Sequence, residues 1–283
     1  MLTGFDYHRP STEEELQSFL RELDDARLIA GGTDVLVQMR GGRLRPRHLV
    51  DVSGMSPLRR IEGPAEGGFH IGAVVSVRDV VGHPYVKEHL AALAEGGREV
   101  GSVQIQNRAT LAGNICNASP AADTAPGLLV FDAIVRVAGP AQERSVPLRR
   151  FFRGPGQTAL RAGEWVRGIT IPPPERSGSC YLKLGRTRGV DLAIVGVACR
   201  VSATEAWMGI GAASPIPLCV DLAGIQDLEA TDLQDASVAA IRSVLRPIDD
   251  VRASAAYRRE MTIALARRAW CLARSRFAEM GAA

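Results

Sequence analysis

The segment that indicates the fold is Arg27-Leu-Ile-Ala-Gly-Gly-Thr-Asp-Val-Leu-Val-Gln-Met-Arg40. A short apolar run, Leu28 to Ala30, predicts a buried strand, and the apolar residues from Val35 onward predict a helix. Between them, two glycines can adopt positive φ and let a ligand approach the backbone. We expect Thr33 and Asp34 to cap the helix, whose free N–H groups favour an anion such as phosphate. Gly-Gly before a helix is also a common tight turn, so this segment alone leaves both interpretations open.

A second segment, rich in small and polar residues, runs from Gly101 to Pro126. Its small side chains add little bulk to a core, and Gly113 lets the backbone approach a ligand. Its hydroxyl, amide and carboxylate groups can bind hydroxyls and phosphate oxygens. These polar residues are Thr110, Asn114, Asn117, Ser119 and Asp123. The alternative is an ordinary turn-forming loop, although turns rarely need so long a run of small residues.

The pattern of strands and helices predicts an α+β protein of two domains. Strands at 5–7, 28–30 and 48–52, with helices between them, predict a small β-α-β-α-β unit. A mixed unit follows, with predicted helices at 76–81 and 84–95 and strands at 133–138 and 165–171. Three prolines at 172–174 mark the boundary, because proline cannot continue a helix or pair in a central strand. Beyond them we predict strands at 181–184, 193–202 and 206–213 and helices at 233–245 and 254–279. The predicted domains are residues 1–173, with subdomains of about 1–58 and 59–173, and residues 174–283.

Composition excludes several classes of protein. The net charge is only +3 and aromatic residues are sparse, which disfavours nucleic-acid binding. Five widely spaced cysteines without a Cys-x-x-Cys pair argue against a disulfide framework and a cysteine metal site. The five histidines are scattered, and we predict no metal ion in this chain. We find no signal peptide and no apolar run that could span a membrane, and therefore expect a cytoplasmic protein.

Four blocks of sequence resemble the FAD-binding subunit of the molybdenum hydroxylases, the family of xanthine dehydrogenase and aerobic carbon monoxide dehydrogenase. Ala30–Val35 is similar to the family's first FAD loop, and Thr110–Thr124 is similar to its second. Tyr181–Ala193 resembles the segment beside the flavin ring. Pro247–Arg259 and Ala266–Ala269 resemble the C-terminal helical signature. The blocks follow the family's order across almost the whole chain.

The resemblance implies a two-part FAD-binding domain of the vanillyl-alcohol-oxidase-like (PCMH) type, followed by a C-terminal domain of antiparallel sheet plus helices. It implies non-covalent FAD and no catalytic residue in this chain, since the cofactor carries the redox chemistry. Leu192 stands where some relatives place an aromatic side chain against the flavin, and leucine cannot stack in that way. The FAD-binding residues implied are Ile29, Ala30, Gly31, Gly32, Thr33, Asp34, Val35, Thr110, Gly113, Asn114, Asn117, Asp123, Val166, Lys183, Asp191 and Leu192.

The function implied is electron transfer within a heteromeric enzyme. The expected partners are a small subunit with 2Fe-2S clusters and a large molybdopterin subunit, and these two carry the iron–sulfur clusters and molybdopterin. The flavin would then reduce an acceptor, for which NAD, oxygen and a quinone all stay open. One alternative is a self-contained flavin oxidoreductase of the same fold, for which Asp191 and Tyr181 are the candidate proton donors. Another is a non-catalytic docking protein. The sequence alone does not identify the substrate of the complex.

Two further ambiguities concern single residues of the implied site. Asp123 could simply cap the helix that follows it, and Lys183 could be an ordinary surface lysine. Each alternative predicts a different environment for the side chain.

Overall fold

The computed structural model describes residues 4–140, 142–173, 175–187 and 189–282. The first unit comprises β1 (Asp6–His8), α1 (Glu13–Glu22), β2 (Ala26–Ile29), α2 (Val35–Arg40) and β3 (His48–Asp51). Its strands form a parallel sheet in the order β1-β3-β2. The strand and helix predicted within residues 27–40 are confirmed. The glycine loop joins them at the carboxyl end of β2, where ligands bind in sheets of this kind.

The second unit is built on a five-stranded sheet. It contains a 3-10 helix (Ser56–Arg59), β4 (Ile61–Ala65), β5 (Gly68–Gly72), α3 (Val77–Gly82), α4 (Pro84–His89), α5 (Ala91–Arg98), α6 (Val103–Gln106), α7 (Leu111–Cys116), α8 (Thr124–Val130), β6 (Ile134–Ala138), β7 (Arg144–Pro147), α9 (Leu148–Phe151), β8 (Phe152–Gly154), β9 (Gln157–Thr158) and β10 (Trp165–Ile171). The sheet is antiparallel in the order β4-β5-β10-β6-β7, and β8 and β9 form a separate ribbon.

The single helix predicted at 84–95 is wrong. The chain leaves helical geometry at Leu90, which has φ −124° and ψ 47°, and a separate helix, α5, starts at Ala91. The Leu90 side chain is fully buried. Burial of this leucine in the core therefore overrides a local pattern that favours one continuous helix.

The C-terminal part is a four-stranded antiparallel sheet with two helices. Its elements are β11 (Gly178–Leu184), β12 (Val195–Val201), β13 (Ala206–Gly211), β14 (Leu218–Asp221), α10 (Asp235–Val244) and α11 (Ala255–Ala282). The strands lie in sequence order, and β14 was not predicted. Helix α11 packs on β11 and β12, while α5 and α8 of the preceding unit also pack against this sheet. None of the helices in the described ranges has the length and apolar character to cross a membrane. The exact domain boundary near residue 173 stays a prediction.

Helix α8 is the element at which the two parts of the chain meet. All seven of its residues are buried. Neighbouring backbones approach it so closely that a Cβ at Gly96 on α5 would overlap the Asp123 carbonyl. A Cβ at Gly209 on β13 would overlap the carbonyl of Pro126 in the same way. Glycine at both positions therefore lets α5 and the C-terminal sheet pack directly on α8.

We expect Gly209→Ala to destabilise the protein by about 1–3 kcal/mol, because the new methyl group forces β13 away from α8. Chemical denaturation of the full chain would measure the change. Gly82→Ala is the matched control, since no atom of the described residues lies within 4 Å of a Cβ added there. Equal stability of the two variants would contradict the close approach of β13 to α8.

Candidate functional site

A cleft with a volume of about 550 Å³ lies where the two glycine-containing segments and the C-terminal part meet. It brings together every residue of the predicted FAD-binding set except Ile29 and Lys183. The predicted residues that line it are Ala30, Gly31, Gly32, Thr33, Asp34, Val35, Thr110, Gly113, Asn114, Asn117, Asp123, Val166, Asp191 and Leu192. The side chain of Ile29 lies next to Gly32 of the first loop. Lys183 donates a hydrogen bond to Asp123, which lines the cleft.

The cleft is also lined by residues outside the predicted FAD-binding set. The lining residues outside the predicted set include Arg27, Gln38, Val52, Val100, Gly101, Ile105, Ala109, Cys116 and Val190. Seven of these nine lie in the segments 27–40, 101–126 and 181–193 that the sequence analysis identified, and only Val52 and Val100 lie outside them. The sequence thus indicated the segments, whereas the tertiary structure decided which of their small and apolar residues line the cleft.

The two glycines of the first loop have different roles. Gly32 has φ +73°, a conformation that L side chains rarely adopt. Gly31 does not have positive φ, so the expectation for this glycine is wrong. Instead, a Cβ on Gly31 would overlap the backbone carbonyl of Arg108. Gly31 therefore allows the first loop to pack against the second segment, and the two loops form one continuous wall of the cleft.

The first loop presents backbone donors without protein acceptors. The N–H groups of residues 31–35 make no hydrogen bond to any acceptor in the described part of the chain. The helix that begins at Val35 has Asp34 at its N-cap position, but the Asp34 side chain makes no capping bond. The predicted capping role of Asp34 is therefore wrong, and the loop amides stay available to an anion in the cleft.

Asp34 joins the two loops instead. Its Oδ1 accepts a hydrogen bond from Nδ2 of Asn117 at 3.1 Å, and Oδ1 of Asn117 accepts from Nε2 of Gln38 at 3.1 Å. Burial raises the pKa of the Asp34 carboxyl. These bonds connect residues that lie 83 and 79 positions apart, and they hold both loops on the same side of the cleft.

Two polar residues of the second segment are already engaged within the protein. Thr110 caps α7, because its hydroxyl oxygen accepts from the N–H of Gly113 at 3.0 Å. Oδ1 of Asn114 accepts from the hydroxyl of Thr124 at 2.6 Å. Both side chains line the cleft and are held in one orientation, which prepares them to meet a ligand with little further loss of freedom.

Asp123 is the charged group on the floor of the cleft. It precedes α8, but its side chain makes no capping bond, so the simple-cap alternative does not apply. One carboxylate oxygen accepts from the hydroxyl of Tyr181 at 2.7 Å, and the other accepts from Nζ of Lys183 at 2.9 Å. Burial raises the pKa of the Asp123 carboxyl, while Lys183 and Tyr181 oppose that rise.

Lys183 is not a surface lysine. Its side chain is only 8% exposed, and its ammonium group donates to the carbonyl oxygen of Glu99 as well as to Asp123. Tyr181 and Lys183 lie two residues apart on β11, on the same side of the strand. The C-terminal sheet thus supplies both side-chain donors to a carboxylate that the preceding unit carries.

A loop held by an ion pair between Arg186 and Asp191 borders the mouth of the cleft. Asp191 accepts from the backbone N–H of Arg186 at 2.9 Å and from the Arg186 guanidinium at 3.2 Å. These hydrogen bonds lower the pKa of the Asp191 carboxyl to about 2, and the bond from the Arg186 guanidinium has the largest effect. The same loop leaves the cleft-lining side chains of Val190 and Leu192 largely exposed, the latter by 58%. An apolar rim therefore borders the entrance to the cleft.

Two family models match the chain in succession. One, described as "FAD binding domain in molybdopterin dehydrogenase", matches residues 3–174. The other, described as "CO dehydrogenase flavoprotein C-terminal domain", matches residues 180–273. Their order agrees with the order of the two parts seen in the structure.

Individual relatives show the same similarity. The xanthine dehydrogenase FAD-binding subunit of Escherichia coli O157:H7 is 33% identical over 219 residues, which cover 75% of each chain. The carbon monoxide dehydrogenase medium chain of Afipia carboxidovorans is 31% identical, over 95% of this chain and 96% of the relative. A structure of reconstituted CO dehydrogenase from Oligotropha carboxidovorans superimposes with a TM-score of 0.89 and 29% identity, over 98% of this chain and 99% of the matched chain.

The ion pair at the cleft mouth leads to a pH prediction. Because the folded-state pKa of Asp191 is about 2, below the unfolded value of about 3.9, the pair stabilises the fold above pH 4. That contribution is lost as the pH falls from about 4 through about 2. Carboxyl-carbon NMR between pH 3 and 5 should find Asp191 mostly ionised throughout.

Arg186→Gln should raise the Asp191 midpoint toward the value of about 3.9 seen in peptides. Arg149→Gln is a suitable control, because Arg149 pairs with Asp132 instead. An Asp191 midpoint near 4 in the unsubstituted protein would refute the assigned ion pair.

Proposed function

Because the chain belongs to the family of FAD-binding medium subunits of the molybdenum hydroxylases, we propose that it carries electrons from iron–sulfur clusters to an external acceptor through FAD. The clusters would lie on a small 2Fe-2S subunit, and a large molybdopterin subunit would oxidise the substrate. NAD, oxygen and a quinone are the candidate acceptors. The observation that carries the proposal is the cleft, where two glycine-containing loops and the C-terminal sheet meet around open backbone donors.

The residues of the cleft fit FAD. The N–H groups of residues 31–35 have no acceptor in the described part of the chain, which suits the pyrophosphate. Gly32 has positive φ, which favours glycine, so the backbone at this position carries no side chain. Asn117 lines the cleft and offers amide hydrogen-bonding groups to a polar ligand. The volume of about 550 Å³ lies in the range typical of cofactor sites.

We propose that the whole predicted set of residues, from Ile29 to Leu192, contacts or directly supports FAD. When bound, FAD supplies the redox chemistry, and the protein supplies position and electrostatics. In this assignment the first loop holds the pyrophosphate and Val166 gives an apolar wall. Asp123 accepts hydrogen bonds at the floor of the cleft, and Lys183 keeps a positive charge next to Asp123.

The self-contained flavoenzyme is less well supported, because both candidate proton donors are engaged. The hydroxyl of Tyr181 donates a hydrogen bond to Asp123, and burial together with Asp123 raises the pKa of Tyr181 well above its usual range. Asp191 pairs with Arg186 and has a pKa of about 2, so it carries no proton to donate near neutral pH. Electron transfer from a partner subunit needs no such donor at the cleft.

The proposed function is tested by purifying the full chain together with the products of the neighbouring reading frames. We expect a complex with an iron–sulfur chain and a molybdopterin chain, and visible absorbance from bound flavin in proportion to this chain. Anaerobic mixing with substrate should bleach the flavin only in the complete complex. Flavin reduction by substrate in the isolated chain would instead favour the self-contained enzyme, and absence of any flavin would contradict both.

Lys183→Met should weaken FAD binding at least about tenfold, the effect of losing about 1.4 kcal/mol, because it removes the only ammonium donor to Asp123 found in the described residues. Lys87→Met is the matched control, since the chain has only these two lysines and Lys87 does not line the cleft. Fluorescence titration with FAD would measure both affinities, with thermal unfolding as a check on folding. Equal affinities in the two variants would remove Lys183 from the site.

A further inference from the structure

Tyr181 lies outside the set of predicted FAD-binding residues and does not line the cleft. Its side chain is buried, and its hydroxyl donates to Oδ1 of Asp123 at 2.7 Å. The ring packs over Gly196 on the neighbouring strand β12. A Cβ added at Gly196 would overlap the phenol oxygen and lie 2.9 Å from Cζ of the ring. Glycine at this position therefore makes the space in which the Tyr181 hydroxyl reaches Asp123.

The backbone of Tyr181 is held independently of its phenol. Its N–H donates to Oε2 of Glu95 at 2.7 Å, and Oε1 of the same carboxylate accepts from Arg276 at 2.7 Å. Strand β11 also pairs with β12 along its full length. These bonds hold β11 independently of the phenol–carboxylate bond, so the Tyr181 hydroxyl can serve chiefly to orient Asp123.

We propose that Tyr181 is a positioning residue for the cofactor cleft, whose hydroxyl, seated over Gly196, orients the Asp123 carboxylate so that the second carboxylate oxygen pairs with Lys183. This inference rests on the proposed function, because it assumes that the cleft binds FAD. Asp123 lines the cleft, whereas Tyr181 stands behind it. Tyr181 would therefore act on the cofactor only through Asp123, and Gly196 would act only through Tyr181.

The groups that face Asp123 determine how the hydroxyl affects it. Tyr181 and Lys183 reach it from β11, and Glu99, just after α5, adds a more distant negative charge. Burial and Glu99 raise the pKa of Asp123, while the two donors lower it. Removing the hydroxyl leaves the buried carboxylate with one side-chain donor among the residues that the structure describes, so Asp123 takes up a proton more readily. A protonated Asp123 no longer forms an ion pair with Lys183 at the floor of the cleft.

The test is the pH profile of FAD binding by the full chain, measured by fluorescence titration. In the unsubstituted protein, affinity should fall as Asp123 becomes protonated at low pH. In Tyr181→Phe the midpoint of that fall should move to higher pH by about one unit, since a hydrogen bond to a charged group is worth about that much. Tyr85→Phe is the control, because the Tyr85 ring stacks on Phe69 outside the cleft.

Gly196→Ala tests the same inference by a second route, because it keeps the hydroxyl and displaces it from Asp123. It should raise the midpoint as Tyr181→Phe does. The double variant should show no further shift of the midpoint, since the hydroxyl is already absent from Asp123. Thermal unfolding of each variant measures any loss of stability. Such a loss does not move the pH midpoint of FAD binding, so the two effects can be told apart.

An unchanged midpoint in Tyr181→Phe would overturn the inference, and so would a loss of affinity that is uniform at all pH values. A shift of the same size in Tyr85→Phe, or additive midpoint shifts in the double variant, would also overturn it. In all these cases the unsubstituted chain still binds FAD, so the proposed function would stand. Failure of the unsubstituted chain to bind FAD at any pH would instead contradict the proposed function itself.

Discussion

The hydrogen bonds to the buried carboxylate of Asp123 connect the two parts of this protein. A charged oxygen removed from water needs partners, and here its side-chain donors come from one strand of the C-terminal sheet. The carboxylate itself lies at the start of α8, the buried helix on which that sheet packs. When the C-terminal sheet packs on α8, it therefore also completes the floor of the cleft.

Backbone contact at glycine makes this arrangement possible. Gly96 and Gly209 bring α5 and β13 against α8, and Gly31 brings the first loop against the second. At each contact a neighbouring carbonyl occupies the place of a side chain, so the two backbones lie closer than ordinary side-chain packing allows. Gly32 is the exception, because its positive φ serves the path of the loop itself. Neighbouring glycines in one short motif thus meet unrelated physical requirements.

The parts of the fold that follow from local pattern were predictable from the sequence. The strand at Trp165–Ile171 agrees to the residue, because its aromatic and β-branched residues favour a strand and the prolines at 172–174 end it. The break at Leu90 was not predictable, since the local sequence favours a helix and only the core decides against it. The capping role given to Asp34 failed for a related reason. Its preferred partner, Asn117, lies 83 residues away and comes within reach only in the folded chain.

The sequence by itself determined the family, the order of the two parts and the segments that build the cleft, because these depend on short motifs and on hydrophobic periodicity. The tertiary structure decided what individual polar groups do. It placed Lys183 in a buried ion pair, committed the Tyr181 hydroxyl to Asp123, and assigned Gly31 to contact between loops. Such roles depend on burial and on partners distant in the chain, and neither property is encoded by spacing within a motif.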